Sequence, residues 1–305
     1  MALEQIGRLE TGDTLAGELR RQGRWGRIQD ALRRAPILPV AILIVFVAMA
    51  LFGQWLAPYN PDDTDLVARL TAPSWAGGAG EHLMGTDRLG RDVWSRIIAG
   101  AQPSFVVALV AIAVGGGIGT VIGLSAGYLG GRFDAIVMRL ADSTISFPLI
   151  LLALLLSAVV GPGLWTVVLA VSLVLWARIA RLLRGEVLSL KTRDFVALAR
   201  VAGMPSWRII LVHILPNVMN TLVVILTLDL GLVIGVEATL SFLGAGIPPP
   251  TPTWGQMVSD GRAYLTTAWW LSLFPGLAIA LVILSFNLIG DWLRDYIDPR
   301  LRESR

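Results

Sequence analysis

Apolar residues in this chain run in stretches of about twenty, divided by shorter polar segments. A hydrocarbon core about 30 Å thick needs about 20 helical residues to cross it. Six stretches meet or approach that length: 37–57, 104–129, 145–160, 164–183, 218–242 and 271–289. The third is short, so it is expected to extend back toward Met138, with Pro148 kinking it near its start. The pattern predicts an all-α integral membrane protein with six transmembrane helices.

Charge sets an expected orientation. Lys and Arg number seven in 1–36, seven in 178–213, two in the loop of Arg132 and Arg139, and four after residue 290. Only Arg69, Arg88, Arg91, Arg96 and Arg262 fall in the alternate loops. The positive-inside rule therefore puts both termini and the 178–213 loop in the cytoplasm, N-in and C-in. The composition agrees with a multi-pass protein: 55% hydrophobic, 15% charged, mean hydropathy +0.68, where soluble domains carry about a quarter charged residues. The apolar run at Ile37 follows a long charged tail, so a cleaved signal is not expected, although Ala48-Met49-Ala50 mimics a cleavage site. The tail itself reads as solvated or membrane-surface, with Trp25 and Trp55 flanking the first span at the interfaces.

Several chemistries are removed by composition. Cysteine is absent and the only histidines are His82 and His213, which excludes thiolate and histidine-rich metal centres and cysteine nucleophiles. The only lysine, Lys191, follows no glycine loop, so the chain has no P-loop. Gly115, Gly119, Gly123, Gly127 and Gly131 form an i, i+4 ridge for close helix approach. That ridge already explains the G-x-S-x-G match around Ser125; a serine hydrolase would need a histidine there, and His213 is the candidate. No catalytic residue is assigned.

The polar stretch 190–213 is a helix–glycine–helix elbow. Asp194 is placed to cap a short helix whose stripe is Phe195, Leu198, Val201 and Ala202, with Arg200 off it. Gly203 is placed to end it, since glycine enters the left-handed region cheaply. Ser206 caps a second helix running toward Pro216. An ordinary amphipathic connector has the same periodicity. Outside, Asp87, Arg88, Arg91, Asp92 and Arg96 can neutralise one another as a salt-bridge cluster, or contact solute. Asp134, Arg139 and Asp142 read as local pairing. Arg178, Arg181 and Arg184 lie along one helix face, to meet phosphates or snorkel. In the fifth span Asp229 and Glu237 are intramembrane carboxyls, which face a bundle interior or wet cavity; they are candidates for a translocation path, or for hydrogen bonding to a neighbouring helix. Pro248 to Pro252 make a rigid external loop, and Trp269-Trp270 are expected to anchor the last span at the interface.

These motifs resemble a family. The elbow is similar to the E-A-A-x3-G-x9-I-x-L-P loop of ABC importer permeases, matched by Ala199, Gly203, Leu215 and Pro216, with Ala197 and His213 departing from it. His82-Leu-Met-Gly-Thr-Asp87-Arg88-Leu-Gly90-Arg91-Asp92-Val-Trp-Ser95-Arg96 resembles the external motif of the dipeptide, oligopeptide and nickel branch. Glu237 to Gly244, Pro248 to Gly255 and Phe274 to Arg300 follow the same branch. The chain looks most like the branch's second dipeptide subunit, from about Ala57 to Arg302.

The resemblance implies a type I ABC importer permease fold with a cytoplasmic coupling helix, in a bacterial inner membrane. It implies ATPase coupling through Asp194, Phe195, Leu198, Ala199, Arg200, Gly203, His213 and Pro216. Its external motif is Asp87, Gly90, Arg91, Asp92 and Arg96. The expected domains are a cytoplasmic tail 1–36, a first helix 37–57, a periplasmic segment with interfacial elbow 58–103, a five-helix permease core 104–290 holding the coupling elbow 190–213, and a tail 291–305. No cofactor or metal is expected on this chain; ATP and Mg would sit on two partner ATPase subunits. The other partners implied are a homologous permease, a periplasmic binding protein and a peptide substrate, with lipid around and no nucleic acid. Nickel chelate or glutathione would fit the same architecture. A secondary transporter would be expected to show paired inverted repeats, which the chain does not display.

Overall fold

A computed structural model describes residues 36–78 and 80–297. The expected tail up to residue 35 with Trp25, and the terminal Asp298-Pro299-Arg300, lie outside the described residues. The apolar runs are helical, because in lipid a helix satisfies its backbone polar groups within one segment.

The first helix is α1 (Ile37–Leu56). α2 (Val93–Ala111) continues through a π-turn at Ile112–Gly116 into α3 (Gly117–Leu129), one unit of 37 residues. α4 (Gly131–Ser146) and α5 (Leu149–Val160) meet at a sharp break, and α6 (Leu164–Leu190) follows. α7 (Asp194–Val201) is short; α8 (Ser206–Ile209) runs through a second π-turn, Ile210–Ile214, into α9 (Leu215–Phe242). α10 (Trp254–Gly261) and α11 (Trp270–Ile297) complete the order. Among the described residues no strand forms, and one antiparallel bridge joins Thr86 to Asp92. Five helical units are long and apolar enough to cross a membrane, and α4 with α5 makes a sixth if the bent pair is one span.

Four boundaries differ from the sequence reading. The second span starts at Val93, because the Asp92 carboxylate accepts from Ser95 N at 2.7 Å and begins the helix there. The expected interfacial elbow is thus the first turns of a long helix. The third span does not run straight back toward Met138: α4 and α5 are bent by 86°. Pro148 forces Phe147 out of the helical region, to φ −81 and ψ 129. The fifth span begins at Ser206, because a π-turn at Ile210–Ile214 joins α8 to α9 and Pro216 falls in the first turn of α9, where proline is tolerated. The last helix reaches Ile297, so residues 291–297 of the expected tail are helical.

The core is built around α6, the most deeply buried of the long helices. α3 lies against it along the glycine ridge. A Cβ on Gly119 would stand 2.6 Å from Trp176 O, one on Gly123 2.6 Å from Ala180 O, and one on Gly127 2.7 Å from Val187 Cβ. Gly131 takes no part, since it opens α4 at a positive φ with open space around it. Two ion pairs tie α4 to the other end of α6: Arg184 binds Asp134 through two nitrogens at 3.0 and 2.7 Å, and Arg181 meets Asp142 at 2.8 Å. These arginines therefore pair with carboxylates, where phosphates or snorkelling had been expected. Elsewhere Phe46 of α1 packs on Phe105, Trp254 and Phe286, closing α1 over α2, α10 and α11.

Candidate functional site

The elbow is α7, its turn, and α8. Arg193, extended at φ −76 and ψ 149, is the N-cap, and Asp194 is the first helical residue with no side-chain capping bond. The expected Asp194 cap is thus displaced by one position; its carboxylate lies instead in the first turn, where the helix dipole favours negative charge. Ser206 is displaced in the same way, with Pro205 as the cap. At the far end Gly203 has φ +74, Met204 N donates to Ala199 O at 3.1 Å and Gly203 N to Arg200 O at 2.9 Å. This is a Schellman closure, which needs the left-handed residue.

The two faces of α7 have opposite environments. Val196 and Ala199 are buried in the chain's own core, while Phe195, Leu198 and Val201 are 37%, 68% and 87% exposed. The expected apolar stripe therefore faces outward. Arg200 pins the elbow inward: its Nε donates to Tyr128 Oη at 3.2 Å, and its guanidinium lies 5.1 Å from that ring. Lys191 approaches the same ring at 5.7 Å. His213, in the second π-turn, packs against Phe195 with ring centroids 6.3 Å apart. Its Nε2 is buried with no hydrogen-bond partner, and among the described residues no hydrogen bond joins His213 to Ser125 in support of the hydrolase alternative. Pro216 is the exposed second residue of α9.

At the opposite end of the helices, the predicted cluster does come together. Arg91 binds Asp87 at 2.7 Å, and Asp87 also accepts from the amides of Leu89 and Arg91. Buried Arg96 lies 3.8 Å from Asp87 and 3.6 Å from Asp62, and donates to Pro61 O at 2.9 Å. Asp92 also holds His82 Nδ1 at 3.0 Å, and Arg88 meets Asp260 at 3.4 Å. Gly90 has φ +76, and a Cβ there would meet the Asp65 carbonyl. Trp270 is buried and donates to Thr86 O at 3.2 Å. It joins this layer to α11, so of the expected anchor pair Trp270 is buried in protein while Trp269 keeps an exposed face.

The two carboxyls of α9 occupy different settings. Glu237 is fully buried and accepts from Ser104 Oγ at 2.7 Å and Ser241 Oγ at 2.8 Å. Asp229 is 3% exposed and lies 3.3 Å from Arg178 of α6, while its Oδ2 has no partner. Toward the elbow end from this pair, a cavity of about 560 Å³ opens between α6, α9 and α11, lined by Leu182, Glu186, Asn217, Asn220, Thr221 and Arg294 among others.

Residues 119–303 match the family described as binding-protein-dependent transport system inner membrane component. That match spans more than half the chain. The chain belongs to this permease family. Residues 38–73 of the permease also match the N-terminal transmembrane domain of oligopeptide transport permease C. It is 42% identical over 270 residues to a putative peptide transport system permease protein of Brucella suis, covering 88% of this chain and 89% of the relative. It is 40% identical to a probable D,D-dipeptide transport system permease protein of Escherichia coli K12, over 87% of each chain. A nickel transport system permease protein of the same organism is 39% identical, covering 87% of this chain and 94% of the relative.

Three features of the permease escaped the sequence reading. They are the pairing of Arg178 with Asp229, the Tyr128 clasp on the elbow and the polar lining of the cavity. The spacing of 178, 182 and 186 on α6, and of 217, 221 and 225 on α9, was the available signal, since i, i+4 residues share one helix face.

Proposed function

We propose that this chain is one permease half of an ATP-driven importer for di- and oligopeptides in a bacterial inner membrane. Its relatives' names support the substrate class, and membership of a binding-protein-dependent family supports a separate soluble receptor on the outer side. The absence of a P-loop leaves ATP hydrolysis to partner subunits. A homologous permease would form the other half of the pathway, with two ATPases at the elbow end and the external motif turned to the receptor side. Asp229 and Glu237 remain the intramembrane candidates, Asp229 near the path and Glu237 as a buried brace between α2 and α9.

The observation that carries this reading is the outward stripe Phe195, Leu198 and Val201 on a helix whose other face is fixed in the core. Exposed apolar side chains gathered on one short helix mark a protein contact. The Schellman closure and the Tyr128 clasp hold that stripe in a fixed attitude, as a coupling element requires. Differential contact of the stripe with closing ATPases would rock the permease halves and open the path alternately to each side.

Because the chain has no cysteine, Leu198→Cys is a single-site probe. In membranes holding the whole importer, a thiol cross-linker at this position should capture an ATPase subunit, with a yield that changes on adding ATP. Capture of no ATPase would remove the coupling role from α7.

A further inference from the structure

Arg178 stands fourteen residues into α6, and Asp229 thirteen residues before the end of α9. At 1.5 Å per residue both lie roughly 20 Å along their helices from the external-motif end, deep within apolar spans. The Arg178 side chain is nevertheless 43% exposed. A charged side chain at such depth is costly in lipid, by about 2.5–3.5 kcal/mol or more, and faces a water-filled path or another protein surface. Its face of α6 continues through Leu182 and Glu186 into the wall of the 560 Å³ cavity, and Asp229 extends the facing row of Asn217, Thr221 and Ile225 on α9. The ion pair therefore stands at the membrane-ward end of the cavity, beside its lining residue Leu228.

The pair is incompletely made. One nitrogen of Arg178 meets one oxygen of Asp229 at 3.3 Å, longer than the roughly 2.7–2.9 Å of a charge-assisted bond. Arg184, one and a half turns along the same helix, grips Asp134 with two nitrogens. The rest of the Arg178 fork has no acceptor within the described chain, and Asp229 Oδ2 is buried without a donor. A planar guanidinium with free N–H groups suits a carboxylate, which it can bind in bidentate fashion. We infer that Arg178 is a carboxylate-binding site on the translocation path, taking the C-terminal carboxylate of a peptide in transit, with Asp229 holding the guanidinium toward the cavity. This rests on the peptide-permease reading above.

The test uses the whole importer, with its receptor and ATPases, in proteoliposomes supplied with radiolabelled dialanine. The variant R178Q/D229N removes both charges together, so no buried carboxylate is stranded. It should copurify with the other subunits yet lose dialanine uptake by at least about tenfold, the loss of one charge-assisted hydrogen bond. R178K, which keeps the charge without the fork, should lose less. R178C should react with a water-soluble thiol reagent, and dialanine should slow that reaction. Wild-type uptake by the double variant, failure of that variant to assemble, or an unreactive R178C would each overturn the inference. No dialanine uptake by the wild-type importer would instead overturn the peptide reading, and this inference with it.

Discussion

Gly203 and Glu237 are both forced by their surroundings, in opposite senses. A Cβ at Gly203 would meet nothing within 4 Å, so only its positive φ demands glycine. A left-handed conformation costs about 1–2 kcal/mol in residues with a Cβ, least in Asn. Gly203→Val should therefore abolish peptide uptake while the chain still inserts, and Gly203→Asn should retain a measurable part of it in the same assay. Equal uptake by the Val variant would detach the turn from transport. This residue was legible in the sequence because glycine before a Pro-Ser turn has a local meaning. Glu237 was legible only as an intramembrane acid. Ser241 lies four residues on along the same helix, but that Ser104 would supply the second donor depends on which face of α2 meets α9, which local pattern does not record.

The glycine ridge is the element most fully readable from sequence, because its period of four marks one helix face directly. Its partner was not readable; the structure supplies α6, with backbone atoms of Trp176 and Ala180 where side chains would otherwise stand. Gly123→Leu should force α3 from α6 and lower the stability of the purified permease complex by about 1–3 kcal/mol or more, measured as a fall in its unfolding temperature. Proline positions were readable in part. Pro148 signalled a bend but not its 86°, and Pro216 gave no warning that a π-turn would let the helix run on to Ser206.

Across the molecule, the five long membrane-length helices followed from apolar run length, while the bent α4–α5 pair, the short helices and the joints between helices did not. Arg178–Asp229, Arg181–Asp142 and Arg184–Asp134 each link elements far apart in the chain. Sequence gives each helix its faces, and packing decides which faces meet. The charge bias of the loops remains the argument for orientation, and it yields a direct check. Trp75→Cys, on an exposed side chain between α1 and α2, should react with a membrane-impermeant thiol reagent added outside intact cells. Thr192→Cys, in the exposed turn before α7, should react only after the membrane is opened; the reverse result would invert the topology.

The phenol of Tyr128 closes α3 onto the elbow, held by Arg200 and approached by Lys191. Force applied by a partner at α7 would therefore meet α3 directly through this clasp. On the proposed coupling it would enter the last turn of α3, pass across the bare glycine face and reach α6 as displacement of a whole rod, so that a small torque at the rim would tilt the column bearing Arg178.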